Sequence, residues 1–128
     1  MKRQAGLWID HREAVAVLMG ATGEETRRIE SGMEKHVRFS GGNRPGDGLA
    51  EDERDRQFAS HLTRYYDDVI SNLHDAESIL VFGPGEAKGE LAKRLTAKGL
   101  GARIVGVETA DKMTTPQIVA RVRQYFRQ

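Results

Sequence analysis

The chain has no cysteine, which excludes a disulfide framework, thiolate zinc centres and a cysteine nucleophile. Nitrogen ligands are then limited to His11, His36, His61 and His74. No two of these sit at metal-ligand spacing on one segment, so neither a metal nor another cofactor is expected. Long apolar runs are also missing. None approaches the roughly 20 residues needed to cross a bilayer, and Met1–Leu7 lacks the charged-then-apolar pattern of a secretory signal. The expectation is a cytoplasmic chain with no membrane partner. Aromatic residues make up only 6% of the sequence, and the paired aromatics of a single-strand RNA reader are not found. An excess of one charge is missing too: 20 Lys and Arg stand against 19 Asp and Glu, a net +1. This is far from the basic balance of a general DNA-coating protein, so local clusters must carry any nucleic-acid affinity.

What is present fits one domain, 1–128, whose core should bury roughly two-thirds of the surface exposed by the unfolded chain. Ala5 to Asp10 (Ala-Gly-Leu-Trp-Ile-Asp) reads as a short strand, and Asp10-His11-Arg12 as a tight turn. Glu13 to Met19 resumes an apolar run, Gly20-Ala21-Thr22-Gly23 breaks it, and Glu25 to Ser31 gives a more polar third strand. Three strands joined by turns predict an antiparallel meander. A glycine-rich stretch with Pro45 follows at about 32–50, with no periodicity beyond His36-Val37-Arg38-Phe39, and reads as a long loop.

From about Asp52, Phe58, Leu62, Tyr65, Val69 and Leu73 recur at helical spacing on one face. Acidic residues crowd the first turns of that helix, where its dipole favours them. Ser78 to Phe82 is a continuous apolar strand of the kind buried on both faces of a sheet. Gly83-Pro84-Gly85 turns it into a helix, Glu86 to Lys98, with Leu91 and Leu95 inward and Gly99 as its stop. Ala102 to Val107 reads as the last strand. Thr114-Thr115-Pro116-Gln117 combines a Thr cap, Pro in the first turn and Gln at the capping-box position, opening a helix with Ile118, Val122 and Tyr125 inward. The order βββαβαβα predicts an α/β domain of ribonuclease-H-like type: a mixed five-stranded sheet with three helices on its faces.

Two segments give this order a resemblance. His36-Val37-Arg38-Phe39-Ser40-Gly41-Gly42-Asn43, between the third strand and a long charged helix, resembles the place where release-factor middle domains carry a Gly-Gly-Gln loop. Val81-Phe82-Gly83-Pro84-Gly85-Glu86-Ala87-Lys88 is similar to a strand-to-helix turn in the middle domains of the release-factor and Pelota family. The opening Leu7-Trp8-Ile9-Asp10-His11-Arg12-Glu13-Ala14 is similar to the start of small bacterial translational machinery proteins. The resemblance implies a ribosome- or tRNA-associated factor concerned with release, rescue of stalled ribosomes or hibernation. In release factors the loop glutamine helps to place water at the peptidyl-tRNA ester, and the glycines allow close backbone approach. Asn43 stands where that glutamine would be and is one methylene shorter, so binding is expected in place of catalysis. Full-length members of the family have further domains on either side. A single domain acting alone could assemble as a homodimer through a sheet edge or helix face.

Several residues are candidates for the site. Gly41, Gly42 and Asn43 form either a functional loop or a flexible turn. Gly83 and Gly85, at a helix N-terminus with Lys88 one turn on, offer either a phosphate site or a tight packing turn. The full P-loop pattern is not met, so a nucleoside triphosphate site is not expected. Lys35, His36, Arg38 and Arg44 are interspersed through the long loop and could follow a phosphate backbone. Arg121, Arg123 and Arg127 on the last helix read as a solvated face. Asp10 occupies the strand end where ribonuclease-H-like nucleases bind metal. Two-metal chemistry needs converging carboxylates, but the fourth strand ends Phe82-Gly83-Pro84 with no acid in it, and Glu53, Asp55 and Asp111 are no more than possible companions. His11 beside Asp10 reads as a turn residue, since neighbours on a strand point to opposite faces, and Trp8 as part of the core or the sheet surface.

Overall fold

A computed structural model of the protein describes residues 3–20, 23–32 and 51–127, and for 51–59 the backbone alone. The elements are β1 (Gln4–Ile9), β2 (Glu13–Gly20), β3 (Gly23–Glu30), α1 (Glu51–Ser71), β4 (Ser78–Gly83), α2 (Ala87–Ala97), a 3-10 turn (Gly101–Arg103), β5 (Ile104–Thr109) and α3 (Thr115–Arg127). The expected order βββαβαβα is the order found. The sheet runs β3-β2-β1-β4-β5, antiparallel between β1 and β2 and between β2 and β3, and parallel from β1 to β4 to β5. It is a mixed five-stranded sheet of ribonuclease-H-like type.

Central placement explains the composition of β1 and β4. Both strands are covered on both faces beyond their first residues, so apolar side chains occupy consecutive positions and not only alternate ones. Leu7, Ile9, Ile79 and Val81 pack beneath α1 and α2 against Leu62, Val69, Leu73, Leu91 and Leu95. Trp8, Leu80 and Phe82 point the other way and are covered by Ile118 and Val122 of α3. Trp8 therefore belongs to the core, at 1% exposure, and its indole N–H donates to the Asp111 carbonyl at 3.1 Å. Each fully buried leucine on these faces contributes about 2 to 3 kcal/mol through removal of apolar area from water.

Two glycines are fixed by close approach. A Cβ on Gly6 would lie 2.2 Å from Val122 Cγ2, so α3 settles onto β1 only because that side chain is missing. A Cβ on Gly83 would lie 2.2 Å from the Ile9 carbonyl oxygen, and its φ of +152° is one that L residues rarely adopt. The ends of β1 and β4 are thereby held together.

Strand starts show the clearest differences from expectation, at β3 and β5. The third strand begins at Gly23, where Gly20 and Gly23 pair across the hairpin, and not at Glu25. Ala102 lies in the 3-10 turn and not in the last strand, which runs from Ile104 to Thr109. The reason is that β5 is an edge strand with alternating exposure. Its apolar signal is weaker than that of β4, and a register shift against β4 follows Ile104. The capping box is formed as expected: Gln117 N donates to Thr114 Oγ1 at 3.3 Å, and Thr114 N donates to Gln117 Oε1 at 2.9 Å.

Candidate functional site

The candidate site grows from the carboxyl end of β1, which parallel β4 shares. Asp10, His11 and Arg12 link β1 to β2. The Asp10 carboxylate accepts from Arg12 N at 2.8 Å and Glu13 N at 2.9 Å through one oxygen, Oδ1. Asp10 N also donates to Glu13 O at 3.0 Å. Aspartate is suited to this turn because its short side chain can close a ring onto amides two and three residues on.

The chain leaves β3 beside this turn, and Ser31 is the point of attachment. Its amide donates to Arg12 O at 2.8 Å, and its hydroxyl donates to His11 O at 2.7 Å. Its own carbonyl accepts from His61 Nε2 at 2.5 Å. A carbonyl can only accept, so Nε2 of His61 carries a proton. From the α1 side the Tyr65 hydroxyl donates to Asp10 O at 3.0 Å.

A second set of contacts ties the turn to α2. Glu90 Oε1 accepts from the Tyr66 hydroxyl at 2.5 Å and from His11 Nε2 at 3.0 Å. Tyr65 and Tyr66, with ring centroids 5.4 Å apart, are both buried. Burial pushes both phenols well above the ordinary tyrosine value. The Asp10 charge adds to this at Tyr65, and the Glu90 hydrogen bond and charge at Tyr66. Both hydroxyls therefore stay protonated and act as donors.

The Gly83-Pro84-Gly85 turn opens at this same end of the sheet, where Gly83 packs against Ile9. Lys88 folds back, and its ammonium donates to the Gly85 carbonyl. Gly83, Gly85 and Lys88 are thus grouped beyond the end of β4, next to the end of β1. Ligands of open α/β sheets bind in the crevice outside the carboxyl ends of the strands. Gly41, Gly42, Asn43, Lys35, His36, Arg38 and Arg44 lie outside the described residues. Gly32, the last described residue before them, has φ +72° and lies close to the His61 ring.

Among the described residues no three His, Asp or Glu side chains converge as a metal site would need. Asp10 Oδ1 is occupied by the turn amides, and the side chains of Glu53 and Asp55 are outside the described residues. Two of the arginines of α3 pair with acids. Arg121 meets Glu108 at 2.9 Å and lies over the Phe82 ring at 5.5 Å. Arg123 meets Glu24 through Nε at 2.8 Å, while Arg127 is exposed.

A cleft of about 530 Å³ lies at the opposite end of the sheet, between the start of β1 and the end of α1. Its charged side chains include two pairs, Arg3 with Asp75 at 3.2 Å and Arg27 with Glu25 at 2.7 Å, and Glu24, which is held by Arg123 of α3. It has no part in the Asp10 constellation.

Ser31, His61, Tyr66 and Glu90 carry the site and were not singled out in the sequence. The one signal available was the Tyr65-Tyr66 pair on an apolar helix face, since a phenol in a core must find a hydrogen-bond partner. No spacing rule identifies that partner 24 residues away.

No protein-family model and no curated protein matches the chain. Solved structures do. Pelota from Thermoplasma acidophilum superposes with a TM-score of 0.60 at 19% identity, covering 90% of this chain and 30% of that one. Archaeoglobus fulgidus Pelota gives 0.57 at 14% identity over 95% of this chain and 31% of its own. An archaeal translation termination factor gives 0.54 at 11% identity over 98% and 39%. The chain therefore shares its fold with about a third of each of these longer proteins.

Proposed function

We propose that this domain is a translation-factor-like binding domain that associates with the ribosome or tRNA, in a role related to release, rescue or hibernation. The observation that carries the reading is the superposition of nearly the whole chain on part of Pelota and of an archaeal termination factor. Support also comes from the carboxyl end of the sheet, where the Gly83–Lys88 turn and the exit towards the glycine-rich segment lie around the Asp10–Arg12 turn. In this reading Lys35, His36, Arg38 and Arg44 follow a phosphate backbone. Gly83 and Gly85 present amides to a phosphate, with Lys88 released from the Gly85 carbonyl to join them. Catalysis is not required, because Asn43 holds the place of the release-factor glutamine.

Co-sedimentation with ribosomal particles tests this. Binding is expected at 50 mM salt and should weaken by about 50- to 500-fold at 200 mM if some four to five phosphates are neutralised. Failure to pellet at either salt would remove the reading.

A further inference from the structure

We infer that Tyr66, Glu90 and His11, together with His61, are positioning residues that fix where the chain leaves β3, and that affinity for RNA depends on them. The inference rests on the ribosome- or tRNA-binding reading above and names what holds that site in place. Ser31 is engaged at all three of its polar groups: the amide by Arg12 O, the hydroxyl by His11 O and the carbonyl by His61 Nε2. The residue that receives the hydroxyl, His11, is itself held from the far side by Glu90. Glu90 is held in turn by Tyr66, whose phenol is buried against Tyr65 and has the Glu90 carboxylate as its acceptor.

The result is a chain of hydrogen bonds from the first turn of α2, through the β1–β2 turn, to the last described residues after β3. It links the Gly83–Lys88 turn and the root of the glycine-rich segment, the two places the sequence marks for RNA contact. A fixed root removes ordering that binding would otherwise have to supply, so the link contributes to affinity without touching the ligand. None of Tyr66, Glu90 and His61 is among the proposed phosphate contacts.

Electrostatics and positioning predict opposite signs here, which makes the idea testable. Glu90→Gln removes a negative charge two residues along the chain from Lys88, and a charge argument alone predicts tighter binding to a polyanion. Positioning predicts weaker binding, by about tenfold for loss of one charge-assisted hydrogen bond. Tyr66→Phe changes no charge and should weaken binding similarly. In both variants the dependence of log affinity on log salt should keep the wild-type slope, because no phosphate-neutralising cation is lost.

The experiment is ribosome co-sedimentation of the whole chain at several salt concentrations, with far-UV circular dichroism and Trp8 fluorescence as controls of folding. Amide exchange at Ser31 is followed in parallel. Level or tighter binding in either folded variant overturns the inference, as does weaker binding with a reduced salt slope. A merely structural role would lower Tm and leave the affinity of the folded fraction unchanged. If Glu90→Gln does not fold, Tyr66→Phe decides alone. If the wild-type chain does not bind ribosomes, the proposed function fails first. Positioning then rests on Ser31, whose amide must exchange faster in Tyr66→Phe than in wild type, and unchanged exchange would overturn it.

Discussion

Asp10 shows how a carboxylate at the end of a central strand acquires its role from what its oxygens already touch. Two turn amides are satisfied by Oδ1 alone, so the residue acts as the cap of a hairpin turn. Asparagine keeps an oxygen in that position, and alanine keeps none. Asp10→Ala should therefore cost about 1 kcal/mol, the usual loss on deleting a side-chain cap, and Asp10→Asn should stay within about 0.5 kcal/mol of wild type. Urea denaturation measures both. Equal losses in the two variants would show that the charge, and not the cap, is what matters. A nuclease centred on this residue would instead lose divalent-metal-dependent cleavage in Asp10→Asn while keeping its stability.

Between elements, the contact of Gly6 with Val122 sets the docking distance of α3. Gly6→Ala should destabilise by about 2 to 3 kcal/mol, because Val122 is fully buried and has little room to move. Val122→Ala opens the space and costs about 1 to 2 kcal/mol alone. The double variant should be more stable than the sum of the two losses predicts, by at least about 1 kcal/mol in a double-mutant cycle. Strict additivity would mean that the two side chains do not share the space.

Helices α1 and α2 are joined at their outer faces by Asp67 and Arg94, with contacts at 2.8 and 3.0 Å. The hydrogen bond to Arg94 holds the Asp67 carboxyl below the usual carboxylate range, with the Arg94 and Lys98 charges assisting against a small desolvation cost. A carboxylate whose pKa is lower in the folded than in the unfolded state stabilises the fold above its unfolded pKa, and that contribution is lost as pH falls through the folded value. Both side chains are about a third exposed, at 34% and 36%, so solvent screens the pair and its worth is small. The Tm difference between wild type and Asp67→Asn should be constant above about pH 5 and shrink at lower pH, below the unfolded carboxylate value near 4. A difference that does not change with pH would contradict this origin.

The elements themselves were legible because their signals are local. Leu62, Tyr65, Val69 and Leu73 recur at helical steps and are all buried, and β4 is apolar without a break because both its faces are covered. Thr114 and Gln117 stand three residues apart and cap α3 as their types require. The lateral order of the strands was not legible. Periodicity reports which face of an element is buried and not what buries it, so the unbroken apolar run of β4 marked it as central without naming β1 and β5 as its neighbours. The same limit hid Glu90. Its partners His11 and Tyr66 are 79 and 24 residues away, and an acid in the first turn of a helix is already accounted for by the dipole.

At the scale of the molecule, one sheet separates two apolar clusters, α1 and α2 covering one face and α3 the other. Since β1 and β4 contribute to both clusters, neither face can loosen without disturbing the other. Leu73→Ala, beneath α1, should cost about 3 kcal/mol, and Phe82→Ala, on the α3 side, about 4 kcal/mol. Trp8 lies on the α3 side, so its fluorescence reports that face. In Leu73→Ala the fluorescence and far-UV transitions should move together. A fluorescence midpoint left at the wild-type denaturant concentration would show that the two faces unfold separately.

The path of the chain between β3 and β4 has a kinetic side. Gln4 pairs with Ser78, so the central parallel contact must wait for the closure of a loop of more than 70 residues, whereas β1, β2 and β3 meet through two short turns. The meander can form first and serve as the template on which the rest condenses. Closure entropy rises only with the logarithm of loop length, about 0.6 kcal/mol for each doubling. The stretch at 33–50 lies inside that large loop, where a few residues added or removed change its length by a small fraction. The fold therefore leaves the length of the glycine-rich segment almost free to vary, so insertions and deletions there cost little in folding.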